Sequence, residues 1–384
     1  YLISKAWLGF IEFWNCNAVA LLLHILNALD ANKTCRLIVL CLVYGFVLFA
    51  SKLSKKISIA IHGGAGTILK TEMSPEKEKT YLNALKNAIN KGYSLLEKGA
   101  SACEATEAAV VELENNSLFN AGKGSVFNND GKHEMDASIM DGASLNAGAI
   151  CCVSGFKNPI KLARYVMDKS DHVILTGKGA EIFGNLMNCE KKEDSYFYDE
   201  LRYQQWLEIK DTDQFQLDHS IKNPKKFGTV GAVALDINGS LAAATSTGGM
   251  TNKKFGRIGD SSVIGAGNYA NNNTCAVSCT GSGEFFIRSI AAYDVSCLIE
   301  MSELSLEKAT NEVIHNRLKK IGGDGGLIAI DKYGNIAMPF NTEGMYRAAK
   351  SSDNTDTVES SDSLGFDLIW KKTFKWSLLY WYSI

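Results

Sequence analysis

The stretch GTVGAVALDINGSLAAATSTGG, residues 228–249, carries the clearest folding signal in the chain. It contains two runs of apolar and small residues, 229–236 and 240–245, which are separated by Ile237, Asn238 and Gly239. An Asn-Gly pair between two such runs is typical of a β-hairpin. The stretch therefore predicts two neighbouring antiparallel strands, the first of which begins at Thr229.

Strands and helices are predicted in blocks on both sides of this hairpin. Residues 57–61 alternate between isoleucine and small residues and predict a strand that enters the glycine-rich turn at residues 62–66. Apolar spacing predicts helices over residues 82–99 and 101–113, the second with a Ser-x-x-Glu capping box. Residues 325–339 predict a last hairpin, and the polar, glycine-free residues 188–227 predict a poorly ordered connector. Such blocks favour an α+β fold with antiparallel sheets over a parallel βαβ series.

The composition of the whole chain is that of an ordinary globular protein. Its 384 residues include 40 Lys and Arg against 42 Asp and Glu, so the formal net charge is −2, and 46% are apolar. These values exclude general disorder. They also leave no basic excess for neutralising phosphates, so we expect no nucleic-acid partner.

The two ends of the chain differ from its body. Five of the six tryptophans lie in the first 14 or the last 15 residues. Residues 37–50 form an uncharged apolar run, which is shorter than the roughly 20 residues of a membrane-spanning helix and ends in a poor signal-peptide cleavage site. Residues 1–55 are therefore interpreted as an N-terminal extension, either a membrane or signal segment or a stretch foreign to the body of the chain. Residues 350–384 are interpreted as a divergent tail.

The ten cysteines show no pattern of metal or redox spacing, because no C-x-x-C pair occurs. In a chain of this size, unpatterned cysteines favour reduced thiols and therefore a reducing compartment. We expect a cytoplasmic location, with a membrane-associated or secretory location as the alternative that residues 37–50 leave open.

The chemistry is concentrated between residues 228 and 283, where 11 of 56 positions are glycine against about four expected from average usage. Glycine at this density lets the backbone approach a ligand closely. Polar side chains lie between the glycines: Thr229, Thr245, Ser246, Thr247, Arg257, Asp260, Thr280, Ser282 and Glu284. The chain has no G-x-S-x-G elbow, no H-E-x-x-H pair and no P-loop, which disfavours a serine hydrolase, a zinc hydrolase and a nucleotide-binding loop.

Eight blocks in order resemble the plant-type (type III) asparaginase and isoaspartyl peptidase family of N-terminal-nucleophile hydrolases. The blocks are residues 59–66 (IAIHGGAG), 118–124 (LFNAGKG), 135–142 (MDASIMDG), 228–236 (GTVGAVALD), 244–252 (ATSTGGMTN), 256–267 (GRIGDSSVIGAG), 279–284 (CTGSGE) and 339–347 (PFNTEGMYR). The resemblance implies a four-layer αββα sandwich. It also implies autocatalytic cleavage between Gly228 and Thr229 into an α chain, residues 56–228, and a β chain, residues 229–349, which pair again as (αβ)2.

The resemblance assigns the catalytic centre to Thr229, with its hydroxyl as nucleophile and its freed α-amine as base. An α-amino pKa of about 7.7–8.0 suits a base near neutral pH. Thr247 is implied to orient the nucleophile, and Thr280 and Gly281 to form the oxyanion hole. The implied substrate-binding residues are Arg257, Ile258, Gly259, Asp260, Thr280, Gly281, Ser282 and Gly283. Arg257 and Asp260 suit a substrate with an α-carboxylate and an α-ammonium group.

The implied reaction is the hydrolysis of L-asparagine to L-aspartate and ammonia and the cleavage of isoaspartyl dipeptides, with no cofactor. The family also has a structural sodium site formed by backbone carbonyls, which correspond here to Leu113, Glu114, Asn116, Phe119, Ala121 and Lys123. Two alternatives of the same fold are a glycosylasparaginase and a threonine endopeptidase. An alternative of another class is an uncleaved, membrane-tethered binding pseudoenzyme.

Overall fold

The computed structural model describes residues 56–66, 74–212, 228–353 and 355–360. The chain divides into two compact units after Lys55, and only the second contains described residues. The apolar segment at residues 37–50 and the tail beyond residue 360 therefore lie outside the described residues. Within the described ranges, no helix is both long enough and apolar enough to span a membrane.

Nine α-helices and one π-helix are present in the described ranges. They are α1 (Pro75–Glu97), α2 (Ala102–Glu114), α3 (Pro159–Lys169), α4 (Gly177–Leu186), α5 (Asp194–Phe197), α6 (Glu200–Ile209), α7 (Gly283–Ser289), α8 (Ala291–Ser302), α9 (Leu306–Asn311) and the π-helix Glu312–Leu318. The predicted capping box at the start of α2 is confirmed: Ser101 accepts the backbone N–H of Glu104, and the Glu104 carboxylate accepts the backbone N–H of Ser101. This reciprocal pairing satisfies donors that every helix start leaves free.

Twelve strands form two sheets in the described ranges. They are β1 (Ser58–Gly66), β2 (Met135–Asp141), β3 (Ala147–Val153), β4 (Ile174–Thr176), β5 (Val230–Leu235), β6 (Leu241–Thr247), β7 (Asn268–Ala270), β8 (Cys275–Gly281), β9 (Gly325–Asp331), β10 (Ile336–Ala337), β11 (Gly344–Ser351) and β12 (Asp356–Glu359). The eight-stranded sheet has the order β12-β11-β1-β5-β6-β2-β3-β4, and the four-stranded sheet has the order β10-β9-β8-β7. Both predicted hairpins, β5–β6 and β9–β10, are confirmed as antiparallel pairs.

Three apolar cores separate four layers, which confirms the predicted αββα sandwich. The first core joins α1, α2 and α3 to the eight-stranded sheet and includes Ile59 and Ile61. The second lies between the two sheets and includes Ala60, which faces the opposite side of β1 from its isoleucine neighbours. The third joins the four-stranded sheet to α7, α8, α9 and the π-helix. Each sheet therefore has an apolar core on both faces, whereas the edge strand β4 of the larger sheet is largely exposed.

The structure corrects three expectations about local structure. Residues 62–66, which were expected to form a turn, continue β1 and pair with β11, with a bulge between His62 and Gly64. Within residues 188–227, which were expected to be a poorly ordered connector, α5 and α6 are present, and residues 213–227 lie outside the described ranges. The aromatic residue Trp206 of α6 stacks on Phe127, so tertiary packing stabilises a segment whose local sequence is polar. The sheet also continues past residue 349, because β11 ends at Ser351 and β12 pairs with it. A single parallel pair, β3–β4, accompanies the antiparallel ladders of the described residues.

Candidate active site

The β5–β6 hairpin brings Thr229 next to Thr247. Val230 pairs with Ser246 in this hairpin, so the residue before β5 lies beside the last residue of β6. The Thr229 hydroxyl donates to the Thr247 hydroxyl at 3.2 Å, and the Thr247 oxygen also accepts the backbone N–H of Gly249 at 3.0 Å. The Thr229 hydroxyl is also 3.4 Å from the hydroxyl of Ser261. Two hydroxyl groups therefore fix the direction of the Thr229 oxygen.

Thr229 lies in an open cleft that is lined by most of the predicted site residues. The cleft is lined by Asn120, Gly228, Thr229, Thr247, Gly249, Met250, Arg257, Gly259, Asp260, Ser261 and Gly281. Predicted residues from four separate sequence blocks thus converge on one surface. Ile258 is not among the lining residues, and its side chain is exposed.

Arg257 is paired in the structure, but its partner is not Asp260. Its Nε and one terminal nitrogen each donate to a carboxylate oxygen of Glu284, both at 2.9 Å. Burial acts to raise the pKa of Glu284, but the hydrogen bonds and charge of Arg257 outweigh it and hold that pKa below its usual value. Arg257 therefore already presents its guanidinium fork to a carboxylate, which is the geometry that a substrate carboxylate would use.

Asp260 is a buried carboxyl group with a free oxygen. Only 3% of the residue is exposed, and its Oδ2 atom has no hydrogen-bond partner in the structure. Burial raises the pKa of Asp260 to about 7, against the opposing charge of Arg257. A buried carboxylate is stabilised by an opposite charge. An α-ammonium group bound in the cleft would provide that charge.

The other predicted residues surround this centre in different ways. The Thr280 hydroxyl accepts the backbone N–H of Ala65 at 3.3 Å, and it lies close to Gly228, since a β-carbon there would be 3.1 Å from it. A β-carbon on Gly283 would lie 2.8 Å from Asp260 Oδ1, which explains a glycine at this position. The Ser282 hydroxyl instead donates to Asp324. Thr280 and Gly283 therefore adjoin the cleft, whereas Ser282 points to a neighbouring loop.

The bulged part of β1 packs directly against the predicted cleavage position. Gly64 has a φ of +111°, and a β-carbon there would lie 2.5 Å from the nitrogen of Gly228. Only glycine adopts this conformation and leaves room for the neighbouring backbone. The HGGAG segment of β1 therefore holds Gly228 in place beside Thr280.

The predicted sodium loop fits a cation held by backbone oxygens. Four of its carbonyl oxygens accept backbone N–H groups: those of Leu113, Asn116, Phe119 and Ala121. A carbonyl oxygen has two lone pairs, so it can also bind a cation through the second one. A β-carbon on Gly122 would lie 2.5 Å from the Glu114 carbonyl oxygen, so glycine keeps the space beside these oxygens open. Hard cations take oxygen ligands of this kind. In the described residues, no cluster of His, Cys, Asp or Glu side chains forms a metal site.

Several functional contacts could not be found from sequence patterns. Asn120 donates to the Gly249 carbonyl at 2.8 Å, and Ser261 reaches Thr229 from a separate turn. Glu284 occurs in the CTGSGE block, but nothing in its spacing indicates that it pairs with Arg257. These residues come from different elements, so only the folded arrangement shows that they meet.

Comparison with known proteins identifies the class of this enzyme. A family model described as Asparaginase matches residues 55–359. The isoaspartyl peptidase of Escherichia coli (strain K12) is 51% identical to this chain over 306 residues, which cover 79% of this chain and 95% of that protein. The isoaspartyl peptidase/L-asparaginase of Xenopus laevis is 40% identical, with coverage of 77% and 92%. The plant-type L-asparaginase of Pyrococcus horikoshii is 42% identical, with coverage of 75% and 94%.

These matches and the cleft define a hydrolase. The chain belongs to the asparaginase family, and the resemblance inferred from its eight sequence blocks is thereby confirmed.

Proposed function

We propose that this enzyme hydrolyses L-asparagine and isoaspartyl dipeptides with Thr229 as its nucleophile. The observation that carries the proposal is the position of the Thr229 hydroxyl. It is hydrogen-bonded to Thr247 in a cleft that also contains Arg257 and Asp260. The names of the relatives, isoaspartyl peptidase and L-asparaginase, agree with both substrates. Both substrates carry an α-carboxylate and an α-ammonium group, so one pair of binding residues serves for both.

Binding uses the two charged residues of the cleft. Arg257 donates to the α-carboxylate of the substrate through its planar fork, and the Asp260 carboxylate accepts from the α-ammonium group. The side-chain carbonyl carbon is thereby directed towards Thr229. The leaving group, ammonia or the amino acid of a dipeptide, then projects towards the open side of the cleft.

Catalysis proceeds through an acyl-enzyme. The Thr229 oxygen attacks the carbonyl carbon while its proton passes to the freed Thr229 α-amine, and the carbonyl oxygen becomes negatively charged. The Thr280 hydroxyl and the Gly281 N–H donate to that oxygen, and one such donor contributes about 2.7–4 kcal/mol at the transition state. The C–N bond breaks as the leaving nitrogen takes the proton. Water then adds to the ester, releases L-aspartate and restores the hydroxyl.

Maturation creates the base. In the uncut chain the Thr229 nitrogen belongs to the peptide bond with Gly228 and cannot act as an amine. The Thr229 hydroxyl attacks the Gly228 carbonyl carbon, and the C–N bond breaks as the nitrogen takes the hydroxyl proton, which leaves an ester and a free Thr229 amine. Water then hydrolyses the ester, which releases the Gly228 carboxylate and restores the Thr229 hydroxyl. The close packing of Gly64 on Gly228 supports this step, because it holds the bond to be cut against strand β1.

Denaturing gel electrophoresis and N-terminal sequencing test the proposal. We expect two fragments, with Thr229 as the first residue of the smaller one. Thr229→Ala is expected to remain one chain and to release no aspartate from either substrate. Cleavage of that variant at the same bond, or a different first residue, would contradict the mechanism. An uncut, inactive wild-type chain would support the binding pseudoenzyme.

Substrate assays separate the enzymes of the same fold. We expect aspartate release from L-asparagine and from an isoaspartyl dipeptide. Hydrolysis of only a glycosylated asparagine would indicate a glycosylasparaginase, and cleavage of only folded proteins an endopeptidase.

We also propose three properties of the mature enzyme. The α and β chains form a heterodimer that pairs again as (αβ)2, which light scattering would measure. The loop that contains Leu113 and Ala121 holds a structural sodium ion, and exchange of NaCl for choline chloride is then expected to lower the melting temperature. The seven cysteines in the described ranges are free thiols, which supports a reducing compartment, the cytoplasm.

A further inference from the structure

A closed ring of buried hydrogen bonds begins and ends at Thr229. His62 Nδ1 lies 3.0 Å from the Thr229 carbonyl oxygen, and His62 Nε2 lies 2.9 Å from the Ser278 hydroxyl. The Ser278 hydroxyl is 2.7 Å from that of Thr245, whose oxygen accepts from the Asn268 amide at 3.2 Å. This first half of the ring passes beneath the nucleophile, from one sheet of the sandwich to the other.

The second half of the ring returns to the Thr229 hydroxyl. The Asn268 amide also donates to the Ser138 carbonyl at 3.2 Å, and the Ser138 hydroxyl donates to the Ser261 carbonyl at 2.5 Å. The Ser261 hydroxyl then lies 3.4 Å from the Thr229 hydroxyl. All six side chains of the ring are at most 1% exposed.

The chemistry of the donors sets the direction of the bonds at His62. The Thr229 carbonyl can only accept, so Nδ1 carries the hydrogen. Burial lowers the pKa of His62 to about 3, against the weaker opposite effect of its bond to the Thr229 carbonyl, so the ring nitrogen Nε2 is unprotonated at neutral pH. The Ser278 hydroxyl must therefore donate to Nε2. Its oxygen is then able to accept from Thr245.

Gly231 keeps open the space that this arrangement needs. A β-carbon at this position would lie 2.5 Å from His62 Nε2 and would overlap the Ser278 oxygen. The GTVG motif therefore has a glycine two residues after the nucleophile because the imidazole and the hydroxyl occupy that space.

We propose that His62 is a positioning residue, which fixes the carbonyl of Thr229 and thereby the directions of its hydroxyl and its amine. The inference rests on the proposed function of Thr229. His62 touches no substrate atom and exchanges no proton in the reaction. Ser278 holds the imidazole in the required orientation through its hydrogen bond to Nε2. Loss of the Nδ1 donor would let the Thr229 peptide rotate, which would slow both maturation and turnover.

Two substitutions at one position test the proposal. His62→Asn retains an N–H donor near the place of Nδ1, whereas His62→Leu has a comparable size and no donor. We expect the cleavage rate and kcat of His62→Leu to fall at least 30-fold with KM within twofold, and those of His62→Asn to stay within threefold of wild type. The shape of the pH profile should stay unchanged in both variants. Equal losses in the two variants, or a folded His62→Leu with kcat within threefold of wild type, would overturn the proposal.

Ser278→Ala keeps the inference testable if His62→Leu does not fold. This variant removes one oxygen behind the imidazole, and we expect a five- to tenfold decrease in kcat with unchanged KM. An unchanged kcat would contradict the positioning role. Thr229→Ala serves as the control for the chemistry: if that variant retains activity, the proposed function itself is wrong, independently of His62.

Discussion

At the scale of single residues, Glu284 occupies the guanidinium of Arg257, the group that we propose binds the substrate carboxylate. The two groups make a bidentate contact, and Glu284 is half-exposed, so the pair is partly screened by solvent. A partly exposed ion pair contributes up to about 1 kcal/mol, which corresponds to roughly a fivefold change in affinity. We therefore expect a substrate carboxylate to displace Glu284 from Arg257, which lowers the net affinity for the substrate.

Glu284→Gln is expected to lower KM for L-asparagine by up to about fivefold and to leave kcat within twofold. The amide still accepts a hydrogen bond from Arg257 but no longer competes as a charge. Steady-state kinetics measure the effect, with Glu312→Gln, which removes a similar ion pair with Arg317 far along the chain, as the control. An increase in KM would mean that Glu284 mainly orients Arg257.

The raised pKa of Asp260 leads us to expect that kcat/KM depends on pH. Its pKa of about 7 means that much of the free enzyme carries a neutral carboxyl group below that pH. Only the carboxylate pairs with an α-ammonium group, so we expect kcat/KM to rise as the pH increases through about 7. In Asp260→Asn this contribution to the pH profile should be absent and KM higher. A profile with the same shape in the variant would assign the ionisation to another group, such as the Thr229 amine.

The same carboxyl group also links stability to pH. Because the folded-state pKa of Asp260 is above the ordinary value of 3.8, folding favours the protonated form. Its contribution to stability is complete below about pH 4 and is lost as the pH rises through about 7. Urea unfolding of the uncut Thr229→Ala chain at pH 5 and pH 8 would measure this loss. The added substitution Asp260→Asn should reduce the difference between the two pH values.

At the scale of secondary-structure elements, the Glu114 side chain connects helix α2 to helix α3 and strand β6. Its carboxylate, at the end of α2, accepts the Ser246 hydroxyl of β6 at 2.7 Å, the backbone N–H of Ile160 in α3 at 2.9 Å and the Asn158 amide at 3.1 Å. Ser246 directly precedes Thr247, the residue that we propose orients the nucleophile. The carboxylate thus fixes the end of β6 to the helical layer.

Glu114→Ala is expected to lower the free energy of unfolding by about 3 kcal/mol, because it leaves buried donors without an acceptor. Glu114→Gln retains part of these bonds and should lose less. Denaturant titration of both variants in the Thr229→Ala chain measures the difference. Glu112→Ala, a substitution on the same helix outside this cluster, should change stability by less than about 0.5 kcal/mol.

Local patterns predicted the elements that carry strong periodic or capping signals. The Ser101–Glu104 box, the isoleucine alternation in β1 and the Asn238–Gly239 turn each depend on neighbours in sequence, so they could be recognised. The pairing of Arg257 with Glu284 depends on a turn and a helix that meet only in the folded chain. Helix α6 was missed because its stability comes from aromatic packing rather than from a helical apolar stripe.

At the scale of the whole molecule, the eight-stranded sheet combines strands from before and after the predicted cut, and the two sets are interleaved. Strand β1 precedes the cut and lies between β11 and β5, which follow it, and β2 pairs with β6. Three antiparallel ladders therefore join the two fragments, and the first apolar core contains residues of both.

We expect the fragments of the cleaved enzyme to coelute in size-exclusion chromatography and to separate only in denaturant. The hydrogen bonds of three ladders and the shared core persist after one peptide bond is cut, because none of them passes through that bond. Elution of a separate fragment that begins at Thr229 under native conditions would contradict the interleaved arrangement.

The place of β1 between β11 and β5 also has a kinetic consequence. Ser58 pairs with Ser351 across nearly 300 residues of chain, and such distant pairing folds slowly even when one chain holds the ends together. After the cut, the same pairing becomes an encounter between separate molecules and depends on their concentration. Only the uncut precursor folds as a unimolecular reaction. The proposed cleavage would therefore make the lifetime of the folded enzyme depend on the barrier to unfolding rather than on the folding equilibrium of a single chain.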